Sequence, residues 1–155
     1  MAKARVSQVL PVPRKELFDL WTDYGSERRR EVFGGSVKVQ RVLQREGNTV
    51  LVENEMEAQD REYRDQRRYT HQPYERIVEE FAHSEVLQGM VTHLFEEVAE
   101  GTRVTLIYDL KPKSWRGRLL SPLLGRFLRG IGDALLYNVE RYFHPEEEDG
   151  EGQTG

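Results

Sequence analysis

The chain changes its hydrophobic period twice. Residues 4–10 alternate loosely between apolar and polar and stop at Pro11, the pattern of a half-buried strand. From Pro13 the spacing turns helical: Leu17, Phe18, Leu20, Trp21 and Tyr24 form an apolar stripe, Glu16 sits where a helix start favours an acid, and Gly25 closes the segment. Ser26 is placed to cap a second, short helix through Phe33. Period two then takes over. Segments 36–44, 49–57, 62–70, 74–83, 90–98 and 102–110 all read as strands, and Gly47-Asn48 between the first two is a tight-hairpin signal. The connections 71–74, 84–89 and 99–102 are rich in turn residues, so the pattern predicts seven strands with no internal repeat.

The second change comes after Pro112. Ser121 offers an N-cap and Pro122 a first helical position, and helical spacing then continues to Phe143. Leu120, Leu124, Phe127, Ile131, Leu135 and Tyr142 form one predicted face, widened by Leu123, Leu128, Ala134 and Val139. Burying that face contributes on the order of 10 kcal/mol, against roughly 1 kcal/mol lost at each of Gly125, Gly130 and Gly132. The helix therefore has to pack on something, and the only apolar surface of matching length is the concave side of the sheet.

Composition narrows the setting. At 155 residues the chain suits one domain, and with no cysteine it has no disulfide, thiol nucleophile or zinc-thiolate site. Residues 1–10 lack the apolar core of a signal peptide, and no run of about 18 uncharged apolar residues exists to span a bilayer, so a cytoplasmic protein is expected. The net charge of -4 is uneven: residues 145–155 hold five of the 27 acids and none of the 23 bases, which leaves the body at +1. The expected division is a single domain over 1–144 and an acidic, disordered tail over 145–155. A near-neutral body gives no electrostatic case for nucleic acid.

A strand, two short helices, six more strands and a long closing helix is the order of the helix-grip fold. Over Ala4–Phe143 the sequence resembles the START-like (SRPBCC) superfamily, in particular its polyketide cyclase/dehydrase and lipid-transport group. "VPRKELFDLWTDY" is similar to that group's first helix, "GTRVTLIYDLKP" to its last strand and "LLSPLLGRFLRGIGDALLYNVERYF" to its closing helix. The resemblance implies an α+β domain in which a curved seven-stranded antiparallel sheet wraps the C-terminal helix with a cavity between them. The superfamily includes lipid and quinone carriers, aromatase/cyclases, hormone receptors and chaperone activators, so the ligand stays open.

Alternation indicates what lines such a cavity. Taking the apolar member of each pair as inward places Asn54 and Met56, Glu79 and Phe81, His93 and Phe95, and Leu106 and Tyr108 inside, facing Leu124, Phe127, Leu128, Ile131 and Leu135 of the helix. The fourth strand reads either way: one parity turns Arg64, Gln66 and Arg68 inward, while the preferred one, which gathers Tyr63 and Tyr69, turns Asp65, Arg67 and His71 inward. Glu79 and His93, with Tyr108 or Arg67, are the residue types that could move a proton beside a carbonyl and hold the enolate oxygen; they equally suit a satisfied polar network. No metal or cofactor is expected, since the four histidines have no short ligand spacing. Residues 111–132 carry six cations and no acid; Trp115, Arg116, Arg118, Arg126 and Arg129 form a basic, aromatic collar suited to a membrane surface or simply to solvent. Three readings follow: a carrier or sequestering protein for an apolar or amphipathic molecule (lipid, quinone or polyketide-like), a metal-independent aromatase/cyclase or dehydratase, and a chaperone-activator-like interaction domain. The oligomeric state stays open.

Overall fold

The computed structural model describes residues 2–33, 35, 37–58, 60–114, 119 and 121–145. The order is β1 (Ala2–Leu10), α1 (Arg14–Trp21), α2 (Glu27–Phe33), β2 (Val37–Glu46), β3 (Thr49–Ala58), β4 (Arg61–Gln72), β5 (Arg76–His83), β6 (Leu87–Val98), β7 (Gly101–Pro112) and α3 (Ser121–Phe143). The seven strands form one antiparallel sheet in the order β1-β7-β6-β5-β4-β3-β2. Apart from β1, each strand is joined to its sheet neighbour by a short turn, while β1 crosses the sheet's other edge through α1 and α2. This is the helix-grip arrangement that the sequence resembles.

The local signals act largely as read. Ser26 caps α2 by accepting the Arg29 backbone N–H at 3.1 Å. Helix α1 is shorter than its stripe, ending at Trp21 with Thr22 as its cap, yet Tyr24 stays buried because the chain folds back over the sheet. Leu17, Leu20 and Trp21 are fully buried, and the Trp21 ring meets Phe33 at 4.8 Å and Phe95 at 5.1 Å, both edge-on.

One expectation is corrected at α3. The buried stripe is not the predicted face but a neighbouring one through Leu128, Gly132, Leu136 and Val139, with Leu135 and Phe143 at its edges. Phe127, placed inside by periodicity, is 65% exposed, and Tyr142 is exposed too. The reason lies at Gly132. A Cβ there would stand 2.9 Å from Val6 Cγ2 and 3.3 Å from Tyr108 Cε2, so the missing side chain lets the helix press its backbone onto β1 and β7. Counting large side chains misses this, because the closest approach is made by the residue with none. The cap assigned to Ser121, the collar residues Trp115, Arg116 and Arg118, and the tail beyond Pro145 lie outside the described residues or side chains.

Candidate functional site

Between α3 and the concave face of the sheet lies a cavity of about 270 Å³. Its walls are apolar: Phe33 of α2, Val37 of β2, Phe81 of β5, Leu87 and Val91 of β6, Leu110 of β7, and Leu128, Ile131 and Leu135 of α3. Its floor is polar, made by Asn54, Arg67, Tyr69, Glu79, His93 and Tyr108 with Arg29 and Gln40 beside them. Arg30 and Ile131 line it and are also exposed, which marks the mouth between α2 and α3.

Strand pairing assembles the floor. Arg67 stands opposite Phe81, Tyr69 opposite Glu79, and Glu79 opposite Val91, so Arg67, Glu79 and His93 fall on one diagonal across β4, β5 and β6. Arg67 Nη1 donates to Glu79 Oε2 at 2.7 Å, and its Nη2 donates to Asp65 Oδ2 at 2.8 Å. Asp65 also accepts from Asn54 at 3.0 Å, and Asn54 accepts from Gln40 at 2.9 Å. Gln40 accepts from Arg29 at 3.3 Å, and Arg29 Nε donates to the Trp21 carbonyl at 2.8 Å. From the same Trp21, the indole N–H donates to His93 Nδ1 at 3.1 Å, and His93 Nε2 lies 3.0 Å from Glu79 Oε1. The network thus closes into a ring that begins and ends at Trp21.

That closure fixes chemistry. An indole nitrogen only donates, so His93 Nδ1 must accept and its N–H sits on Nε2, directed at Glu79. The Glu79 carboxylate takes donors on both oxygens, from His93, Arg67 and, at 3.2 Å, the Tyr69 hydroxyl. Burial pushes Glu79 up, but the Arg67 cation and the His93 hydrogen bond outweigh it and hold the carboxyl well below the usual carboxylate range. Burial, aided by the Glu79 charge, pushes Tyr69 up to about 12. Tied acids of this kind are poor proton acceptors at neutral pH.

Two groups remain unspent among the described residues. Arg67 commits Nε–H and one N–H of each terminal nitrogen, which leaves one N–H on Nη1 and one on Nη2, with the guanidinium lying 4.4 Å over the Phe81 ring. Tyr108 is 7% exposed, lines the cavity, and has no hydrogen-bond partner for its hydroxyl among the described residues. Burial, with the charges of Glu79 and Asp133 behind it, raises that phenol well above its ordinary range, so it stands as a neutral donor.

Of the residues expected to line the cavity, Asn54, Phe81, Tyr108, Leu128, Ile131 and Leu135 do so, as do Arg67, Glu79 and His93. Met56 lies away from it beside Val39 and Tyr63, Phe95 packs under α1, Leu106 is fully buried in the core, and Leu124 packs against the core from its edge. Arg29 was not anticipated. Within Glu27-Arg-Arg-Arg-Glu31 it reads as one of several solvated cations, yet it is buried with its guanidinium over the Tyr24 and Phe33 rings. Trp21 and Gln40 were missed as polar partners, whereas Asp65 could be found from the parity of β4. Among the described residues no group of three or more His, Asp or Glu is placed to hold a metal ion.

No family model matches the sequence, and no curated protein matches it significantly. Solved structures do. The chain is similar to a START superfamily protein from Mycobacterium smegmatis (TM-score 0.72, 12% identity, 92% of this chain and 99% of that one). It is similar to the Zhui aromatase/cyclase from a Streptomyces species (0.68, 9%, 90% and 94%). It is also similar to the di-domain ARO/CYC StfQ of the steffimycin biosynthetic pathway (0.74, 12%), where it covers 96% of itself and 52% of that protein. At these identities the likeness establishes the START-like fold.

Proposed function

We propose that the protein binds an apolar or amphipathic small molecule between its sheet and α3, as a carrier or sequestering protein. The observation that carries this reading is the unpartnered Tyr108 hydroxyl, which projects into an otherwise apolar-walled cavity beside the spare N–H groups of Arg67. That hydroxyl is open to the cavity rather than sealed away, Asp109 Oδ1 being the one fully buried polar side-chain atom without a partner among the described residues, so a ligand acceptor gains the net of about 0.5–1.5 kcal/mol of an ordinary hydrogen bond there. The free valences here are chiefly donors, so the bound end of the molecule is an acceptor oxygen. Arg67 and Arg29 are balanced by Asp65 and Glu79, which favours a neutral carbonyl, as in a quinone or a polyketide-like ring, over a free acid. At about 270 Å³ the cavity sits just below the ~300–1,000 Å³ of ordinary small-molecule sites, with room for roughly ten non-hydrogen atoms at the ~30 Å³ per molecule of liquid water. One or two rings fit inside; a longer tail has to leave by the mouth.

A second reading, a metal-independent aromatase/cyclase or dehydratase, is supported by the likeness to the Zhui aromatase/cyclase and by donors placed to hold an enolate oxygen. Against it, Glu79 and His93 are both consumed by the ring. The interaction-domain reading asks for a filled interior, and this interior is not filled. Native mass spectrometry of the purified protein tests the proposal: a retained small molecule is expected, and its absence, together with no binding of model quinones or ketones, overturns it. Ring closure of a reactive poly-β-ketone, abolished by Glu79→Gln with ligand affinity unchanged, would favour the cyclase.

A further inference from the structure

The first half of α3 is apolar on both sides. Leu128 faces the core, while Leu123, Phe127 and Ile131, spaced four residues apart, form a ridge on the solvent side, continued before the helix by Leu119. Leu119, Leu123 and Phe127 are 71%, 61% and 65% exposed. An exposed apolar ridge of this size on a helix marks a surface that something else covers. Three further observations narrow what covers it. The ridge runs to the cavity mouth, because Ile131 belongs to both. Exposed Val86 lies at the same end, its carbonyl accepting the Lys113 backbone N–H at 2.9 Å. And the ridge's own turns carry one sign: Arg126 and Arg129 are exposed on them and residues 111–132 hold no acid, the acids returning at Asp133 and at Glu85 beside Val86.

From this we infer that the ridge docks on an anionic lipid surface, with the mouth turned toward the bilayer. Apolar side chains enter the acyl boundary while the flanking cations stay at the headgroups. A second copy fits worse, because a two-fold contact through this face would set its cations against their own images. Among the described residues no helix is long and apolar enough to cross a membrane, so the contact is peripheral.

The inference stands apart from what the cavity holds, and flotation with vesicles of phosphatidylcholine, with and without phosphatidylserine, tests it on the whole chain. Binding is expected to the phosphatidylserine vesicles and to fall with salt. Replacing both Arg126 and Arg129 by Gln should weaken it roughly 30-fold, from about 1 kcal/mol per cation. The pair Leu123→Ser and Phe127→Ser should abolish it without lowering thermal stability, since both side chains are exposed; Leu43→Ser, at an exposed position on β2, should change nothing. No vesicle binding, binding indifferent to phosphatidylserine, or binding that survives the arginine pair overturns the inference. So does sedimentation showing a dimer that Phe127→Ser separates, which would assign the ridge to a second copy.

Discussion

The two ends of the interior are built from the same sheet and differ in how completely they are filled. Under α1, Leu17, Leu20, Trp21 and Phe95 share one buried cluster with Val104 and Leu106, and the buried Trp21 N–H and Thr102 hydroxyl both have partners. Toward α2 and the first half of α3, the sheet faces a cavity, an unpaired phenol and a helix with apolar side chains on its outer side. Close packing makes the first end a source of stability, whereas the second holds polar and apolar surface that the chain alone leaves uncovered. The polar ring runs along the border. Substitutions should therefore cost most at the closed end and least, in stability, at the open one.

Trp21 sits where the comparison is steepest. Trp21→Ala removes a fully buried indole and deprives His93 Nδ1 of its donor, so unfolding in urea should show a loss of about 3–5 kcal/mol. Trp21→Phe keeps most of the volume and isolates the hydrogen bond, at about 1–2 kcal/mol. A Trp21→Ala protein as stable as its parent would mean that the closed end is not the packed one.

On the border, Glu79→Gln keeps the shape but leaves Arg67 with Asp65 as its only acidic partner among the described residues, at a cost of about 2–3 kcal/mol at pH 7. It should also reshape the acid limb. Because Glu79 has a folded pKa below its unfolded value, the unfolded chain binds the extra proton, and the stabilisation is complete above the unfolded value. It is lost as pH falls from about 4.3 toward the lower folded pKa. Urea titrations at stepped pH should show that slope in the parent and a shallower one in Glu79→Gln; identical slopes would mean that another carboxylate governs the acid limb.

These border residues also mark how far the sequence could be read. Strand parity finds Asn54, Glu79, His93 and Tyr108 because alternation along a strand is rigid: once Val91 and Phe95 are inside, His93 has to be. The same rule, applied to the tyrosines of β4, turns Asp65 and Arg67 inward. Helices are less legible. Arg29 is chemically identical to its neighbours Arg28 and Arg30, and only the rings of Tyr24 and Phe33, remote in pattern though near in space, select it for burial. Which side of α3 meets the sheet turns on Gly132, whose contribution is an absence of volume, and a hydrophobic count has no weight for that. The closure of the ring at Trp21 depends on the entry angle of α1, which no local spacing encodes.

The glycines of α3 sharpen this point by a pair of opposite substitutions. At Gly132 a methyl would press on Val6 and Tyr108, so the ~1 kcal/mol gained in helix propensity is outweighed by ~1–3 kcal/mol of overpacking, and Gly132→Ala should be destabilising by about 1 kcal/mol. At Gly130 nothing lies within 4 Å of an added Cβ, so Gly130→Ala should stabilise by about 0.5–1 kcal/mol. Thermal unfolding midpoints that move in the same direction for both would show that α3 does not approach β1 and β7 as closely as described.

The smallest effect on stability is expected at Tyr108, and there the comparison turns from folding to binding. The hydroxyl makes no hydrogen bond to any described residue, so Tyr108→Phe deletes nothing that holds the chain together; the change in unfolding free energy should stay within about 0.5 kcal/mol. For a ligand whose oxygen accepts from that phenol, the same deletion removes one hydrogen bond, about 1 kcal/mol or roughly fivefold in Kd. Measured by calorimetry on a model quinone, unchanged stability with weaker binding is the expected pair. Equal affinity would remove Tyr108 from the site and leave Arg67 as the sole anchor of the ligand's polar end. Lost stability would mean that the phenol belongs to the core and that the open end reaches less deeply into the sheet than the cavity indicates. The pH dependence adds a check: burial raises this phenol, so its contribution to binding should persist without change through neutral and mildly alkaline solution, where a group that ionised there would lose its donor.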